Sequence, residues 1–252
     1  MFAALPMYDH PGVRAETDAL WAAIRDRLRD AGIAAPQELL REDDLHAQWE
    51  SPELLLGQTC GLPFRIALHH RVTLLGSIDY DLPETPPGHY HSIFVARKDD
   101  PRNHVSEFDG ALLAFNDRWS HSGWATACAE PVRFRPGPET GSHRDSARAV
   151  TSAEADIAAL DAISLRLIEQ HTDFARGLKR VGRSGTSPGQ AIITAYPEYE
   201  TALRSALVAG IAGLPEQTKS ALGIRGVVQT PPQDYLAVPN PPSPEAYAAA
   251  AA

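Results

Sequence analysis

Basic residues are the minority among the charges: 23 Lys and Arg stand against 32 Asp and Glu, for a formal net charge of −9. Binding nucleic acid relies on neutralising many phosphates at once, and this balance excludes it as a partner. A pocket for a small anion is not excluded, because it needs only a few local donors. Cysteine is almost absent. Cys60 and Cys128 have no C-x-x-C spacing, so they form no metal or redox motif and read as two free, semi-buried thiols. No apolar run approaches the roughly 20 residues that a membrane span requires, so no membrane insertion is expected. The opening Met1-Phe2-Ala3-Ala4-Leu5-Pro6 lacks the basic stretch and apolar core of a secretory signal. The chain as given therefore reads as cytoplasmic, and as periplasmic if an export segment is missing from it. No repeat of fixed period appears, and no nucleophile–base pair or cofactor motif stands out, so no cofactor and no metal site is expected.

What is there is an alternation of short apolar runs and helical stretches over 252 residues, 43% of them hydrophobic. Phe2–Leu5, Leu54–Thr59, Val72–Ile78 and Tyr90–Arg97 read as strands. Between them, Leu20, Ile24 and Leu28 recur at helical spacing, and Gly32 stops that helix. A second rhythm begins near residue 99: strand Ala111–Asn116, a helix from about Ser122, loop Pro136-Gly137-Pro138, a helix after Gly141-Ser142-His143, strand Ala155–Leu160 and helix Ser164–His171. The last third holds strand Gln190–Tyr196, helix Glu198–Leu214 and strand Ile224–Gln229. This pattern predicts an α/β fold with mostly parallel sheets covered by helices. It also predicts two lobes, residues 1–97 plus 184–238 and residues 98–183, followed by a Pro/Ala-rich tail, 239–252, that packs little.

Two loops carry the same chemistry. In Asn116-Asp117-Arg118-Trp119-Ser120-His121-Ser122-Gly123-Trp124, a strand runs into hydroxyls and a glycine where a helix begins. The first turn of a helix has unpaired N–H groups and a partial positive charge, which stabilise an anion placed there. The other reading is that Ser122 only caps the helix. In Glu139-Thr140-Gly141-Ser142-His143-Arg144, a second such loop puts His143 in a helix's first turn, as an anion donor or as a surface residue behind a serine cap. Successive strand-to-helix connections in a parallel sheet lie on one edge, where ligands bind. Arg118, Arg144 and Arg148 add positive charge nearby, or are simply solvated.

Thr140-Gly141-Ser142-His143, the following Ser146 and Ala149-Val150, Ala155 to Asp161, and Ser120-His121-Ser122-Gly123-Trp124 together resemble the phosphate/phosphite/phosphonate substrate-binding proteins of ABC transporters. Pro188-Gly189-Gln190, Leu203-Arg204-Ser205 and Leu222-Gly223-Ile224 follow in the family's order, so the likeness covers roughly residues 1–236. The resemblance implies a type II periplasmic-binding-protein fold with two lobes and a two-strand hinge. It implies a small anionic ligand, phosphonate- or phosphate-like, held by Ser120, His121, Ser122 and His143. Asp161, Tyr90, Tyr8 and, at a strand end, Thr59 are further candidates. His121 stands where the family has a small hydroxyl residue. An ABC permease is the implied partner, and a monomer or weak dimer is the expected state.

Other function classes compete with transport. A cytoplasmic sensor would use the same binding site. Enzymes of menaquinone and thiamine-pyrimidine synthesis resemble these proteins, and there His121, His143 or Asp161 would serve as acid or base. The residue pattern favours a binding protein without chemistry of its own. His89 and His91 share one side of a strand but have no visible third metal ligand, and Cys60 has no visible base.

Overall fold

A computed structural model describes residues 1–42 and 44–250. The chain forms two compact units, Met1–His89 with Pro188–Val238, and Tyr90–Ser187 with Pro239–Ala252. In chain order the strands of three or more residues are β1 (Phe2–Ala4), β2 (Leu54–Thr59), β3 (Thr73–Asp79), β4 (Ser92–Arg97) and β5 (Leu112–Phe115). They continue with β6 (Arg135–Glu139), β7 (Ile157–Asp161), β8 (Leu178–Arg183), β9 (Ala191–Thr194) and β10 (Gly226–Val228). Among the described residues, no helix is long and apolar enough to cross a membrane.

In the first unit the sheet order is β1-β2-β9-β3-β10. β1 runs parallel to β2, pairing Phe2 with Leu54, while β9 lies antiparallel between β2 and β3 and pairs Ile192 with both Gln58 and Gly76. Helix Arg14–Asp30 buries Leu20, Trp21, Ile24 and Leu28, the stripe expected from its spacing. Helix Glu200–Ala212 packs against it at Gly210, where a Cβ would stand 2.9 Å from the Ile24 side chain and 3.2 Å from its backbone. The absent side chain is what permits that approach. Trp49, Leu54, Phe64, Leu74, Ile193 and Tyr235 fill a core cluster.

In the second unit the order is β6-β5-β7-β4-β8. β5 is parallel to both β6 and β7, and β4 is antiparallel to β7 and β8, pairing Phe94 with Ala159 and Gly182. Phe94, Phe108, Phe115, Trp124, Phe134 and Ile157 make the core. Each of β6, β5 and β7 hands the chain to a helix or helical turn at its C-terminal end. Three such connections therefore share one edge of this sheet, the place where open α/β sheets bind ligands.

Several expectations need correction. The sheets are mixed, because β4 and β9, the first long strands after the chain changes unit, enter antiparallel. Ser92–Arg97 belongs to the second unit, since its pairing partners are β7 and β8, so the change of unit falls after His89 and not after residue 97. Pro136-Gly137-Pro138 lies in edge strand β6, where proline is tolerated because one side needs no donor. β8 has no counterpart in the sequence reading: of Leu178–Arg183 only Val181 is buried, so no apolar pattern announces it. The tail packs well. Helix Pro244–Ala249 places Tyr247 in the core of the second unit.

Candidate functional site

The connection after β5 is built around four short contacts. Ser120 N–H donates to Asp117 O at 2.9 Å, and Trp119 N–H to the Asp117 carboxylate at 2.7 Å, which closes a tight turn. The next turn, His121–Ala125, is wide: Ala125 N–H reaches five residues back to Ser120 O, at 3.0 Å. Ser120 is its cap, with Oγ accepting from Gly123 N–H at 3.0 Å. The cap therefore falls two residues earlier than the sequence reading places it, and this leaves the Ser122 hydroxyl available. A Cβ at Gly123 would fall 2.0 Å from Asn116 Oδ1 and 3.3 Å from Ser120 Oγ, so a side chain there would have to displace both side chains.

The connection after β6 is laced to the first. Thr140 N–H donates to Phe115 O at 2.9 Å and Gly141 N–H to Asn116 O at 2.8 Å. Gly141 takes φ +82°, a left-handed turn that glycine adopts without strain. Ser142 caps helix His143–Thr151, accepting from Asp145 N–H at 3.0 Å and donating to the Asp145 carboxylate at 2.7 Å. Thr140 Oγ1 lies 2.7 Å from Ser146 Oγ.

The two connections meet at Ser122 and His143. Ser122 Oγ is 2.8 Å from His143 Nε2 and 3.4 Å from Ser120 Oγ. Both serines are buried. His143 Nδ1 and Asn116 Oδ1 are shielded from solvent and have no hydrogen-bond partner among the described residues. Burial pushes the His143 imidazole down to about 4, so it is neutral at physiological pH. In the tautomer that carries the proton on Nε2, His143 donates to Ser122, whose own O–H is then free to point elsewhere. The serine caps take the Gly123 and Asp145 amides, and the amides that precede these in each first turn have no intrahelical acceptor. Hydroxyls, an imidazole and amides of this kind, all uncharged, make a donor set for an oxyanion.

The remaining candidates divide by unit. His121 is buried, with Nε2 2.9 Å from Ser187 Oγ and its ring edge-on to Tyr90 at 6.1 Å. Tyr90 thus belongs to the second unit and not to the first lobe, to which the sequence reading assigns it. Asp161 ends β7 and caps helix Ala162–His171, accepting from Ile163 N–H at 2.7 Å and Ser164 N–H at 3.2 Å. Tyr8 and Thr59 lie in the first unit. Tyr8 packs edge-on against Tyr80 at 4.6 Å, and Thr59, fully buried, ends β2. Arg118 is committed to Glu139 and Glu245, and Arg148 to Asp145.

Sequence reasoning missed Asn116 and Ser92. Ser92 Oγ donates to Ser122 O at 2.9 Å, which fixes the backbone of the serine from below. A polar residue closing the apolar run of β5 was the available signal for Asn116. Ser92 sits inside an apolar strand, where a lone serine gives no signal of its partner.

Comparisons with known proteins bear on the family and the fold. The sequence profile of a family described as ABC transporter, phosphonate, periplasmic substrate-binding protein matches residues 83–235. That span includes every candidate except Tyr8 and Thr59. No curated protein matches the sequence. Among solved structures, PhnD1 from Prochlorococcus marinus, in complex with methylphosphonate, superimposes with TM-score 0.69 at 13% identity, covering 93% of this chain and 94% of that one. XAC2383 from Xanthomonas citri, bound to chloride, gives TM-score 0.65 at 19% identity over 98% and 96% of the two chains. A binding-protein component of an ABC phosphonate transporter from Pseudomonas aeruginosa gives TM-score 0.65 at 16% identity over 93% and 82%. At these identities the structures establish the shared two-lobed, periplasmic-binding-protein-like fold.

Proposed function

Because this chain belongs to the family of periplasmic substrate-binding proteins of phosphonate ABC transporters, we propose that it binds a phosphonate- or phosphate-like oxyanion at Ser120, Ser122 and His143 and passes it to an ABC permease. The observation that carries the reading is the 2.8 Å contact between Ser122 Oγ and His143 Nε2, which brings the first turns of two helices to one point. A tetrahedral oxyanion there would take the Ser122 hydroxyl as donor, with His143 behind it, and add first-turn amides from both helices. Asn116 and Gly123 shape the loop, and no charged side chain need touch the ligand. His121 and Tyr90 stand beside this point and Asp161 caps a helix at the same sheet edge, so in this reading they shape the site more than they hold the oxyanion.

Calorimetric titration with methylphosphonate, phosphate and phosphite, with acetate as the contrasting carboxylate, tests the reading. Binding of at least one phosphorus oxyanion, with acetate much weaker, is the expected result. Absence of binding by all three, or full affinity after Ser122→Ala and His143→Ala, would overturn it.

A further inference from the structure

The chain's final segment belongs to the unit that carries the candidate anion loop, and it touches that loop's two ends. At one end, Arg118 Nη1 donates to Glu245 at 3.0 Å, while the same guanidinium and the Arg118 backbone N–H hold Glu139 at 2.8 and 2.9 Å. At the other end, the fully buried Trp124 donates its indole N–H to Pro242 O at 2.8 Å. Between these contacts Ser243 starts helix Pro244–Ala249, its Oγ accepting from Ala246 N–H at 3.2 Å. Tyr247, buried, anchors the helix: its ring stands edge-on to Trp124 at 5.3 Å and lies 4.5 Å beneath the Arg133 guanidinium, and its carbonyl accepts from Arg133 Nη2 at 2.9 Å.

Arg118 and Trp124 bracket Ser120–Gly123 in sequence. The helical turn between them is a wide one, and such turns hold their shape less well than α-helix by backbone bonds alone. Placement of donors to within about half an ångström decides whether a site works. We propose that residues 239–250 are a positioning strap: they grip the anion loop at Arg118 and Trp124 and so hold Ser120 and Ser122 in binding geometry without touching the ligand. The effect on affinity rests on the oxyanion-binding reading above; the effect on the loop does not.

The test compares the full chain with a version ending at Val238, and with Trp124→Phe in the full chain, which keeps the ring but loses the N–H donor. Hydrogen exchange read at the amides of 118–126 addresses the loop directly. Faster exchange there in the shortened chain, with the amides of β2 and β3 unchanged, is the expected result; equal protection overturns the proposal. Methylphosphonate affinity of the shortened chain should fall at least tenfold, and a synthetic peptide of residues 239–252 added in trans should restore it, which a general loss of stability would not allow. A folded shortened chain with full affinity overturns the proposal. Should the shortened chain not fold, Trp124→Phe decides: a several-fold loss of affinity together with faster exchange at 120–126 supports the strap, and wild-type values for both sink it. Failure of the intact protein to bind methylphosphonate would count against the oxyanion reading, leaving the exchange experiment to judge the strap.

Discussion

His143 Nε2 and Ser122 Oγ stand 2.8 Å apart, although 21 residues separate them in the chain. Each lies in the first turn of its own helix, and the helices follow the adjacent parallel strands β6 and β5. The contact turns two ordinary helix starts into one candidate site. It also gives the serine a hydrogen-bond partner that leaves its own proton free to be donated outward.

Removing either member should therefore weaken oxyanion binding. Ser122→Ala and His143→Ala are each expected to cost about 1.5–3 kcal/mol of affinity, the range for hydrogen bonds to a charged group. Because both act through one chain of bonds, the double variant should cost clearly less than the sum. Titration of the four proteins with methylphosphonate measures this, and strict additivity would separate the two residues.

Acid should destabilise the ligand-free protein through His143. Its imidazole is pushed down to about 4 by burial, whereas in the unfolded chain it has an ordinary value near 6.5. Between those values the unfolded state binds the extra proton, so the stabilisation present above pH 6.5 is lost as pH falls towards 4. The slope from this one group is at most about 1.4 kcal/mol per pH unit. Urea denaturation at pH 7, 6 and 5 should show a shallower decline for His143→Gln than for the wild type, and equal declines would refute the assignment.

Gly123→Ala should damage the site more than the fold. The new methyl would fall 2.0 Å from Asn116 Oδ1 and 3.3 Å from Ser120 Oγ, and both are side-chain atoms that can be pushed aside. Overpacking of this kind costs roughly 1–3 kcal/mol. The displaced atoms belong to the loop, so ligand affinity should drop about tenfold or more while the thermal midpoint moves only a few degrees. A large fall in midpoint with affinity intact would show the reverse priority.

Strands β5 and β7 of the second unit were legible because Ala111–Asn116 and Ala155–Leu160 are short apolar runs that each lead into a helix start, whereas β6 read as a loop because of its prolines. The serine and histidine loops were legible as hydroxyl-rich helix starts. What stayed hidden was the pairing across the chain. Nothing local says that Ser120 and not Ser122 would be the cap, because that depends on where a wide turn begins. β8 hides behind Lys179, Arg180 and Arg183, the polar side chains of an edge strand. The tail looked inert because prolines and alanines bury little, yet one aromatic, Tyr247, inserted beside Trp124, is enough to dock it. His121 resembled a ligand donor in the loop motif, whereas its ring nitrogen turns to Ser187, whose position no pattern in the loop could announce.

Binding of a dianion should take up a proton at His143. In the free protein the imidazole is neutral above about 4, because burial disfavours its charge. A phosphonate held by Ser122 would bring negative charge to about 5 Å from the ring. At an effective dielectric constant near 20, each unit of charge at that distance is worth about 3 kcal/mol, or about two pKa units, in favour of the imidazolium. This effect opposes the burial that holds the imidazole at about 4, so the complex titrates at a higher value than the free protein. Between about 4 and that higher value, binding is coupled to protonation, so the His143-dependent part of the affinity rises as pH falls through the window. The phosphonate's own ionisation contributes as well, which makes the comparison with His143→Gln essential. Calorimetric heats at pH 6 in buffers of different ionisation enthalpy should reveal proton uptake in the wild type that exceeds the variant's by several tenths of a proton. The same uptake in both proteins would mean that His143 stays neutral in the complex and serves only as the hydrogen-bond partner of Ser122.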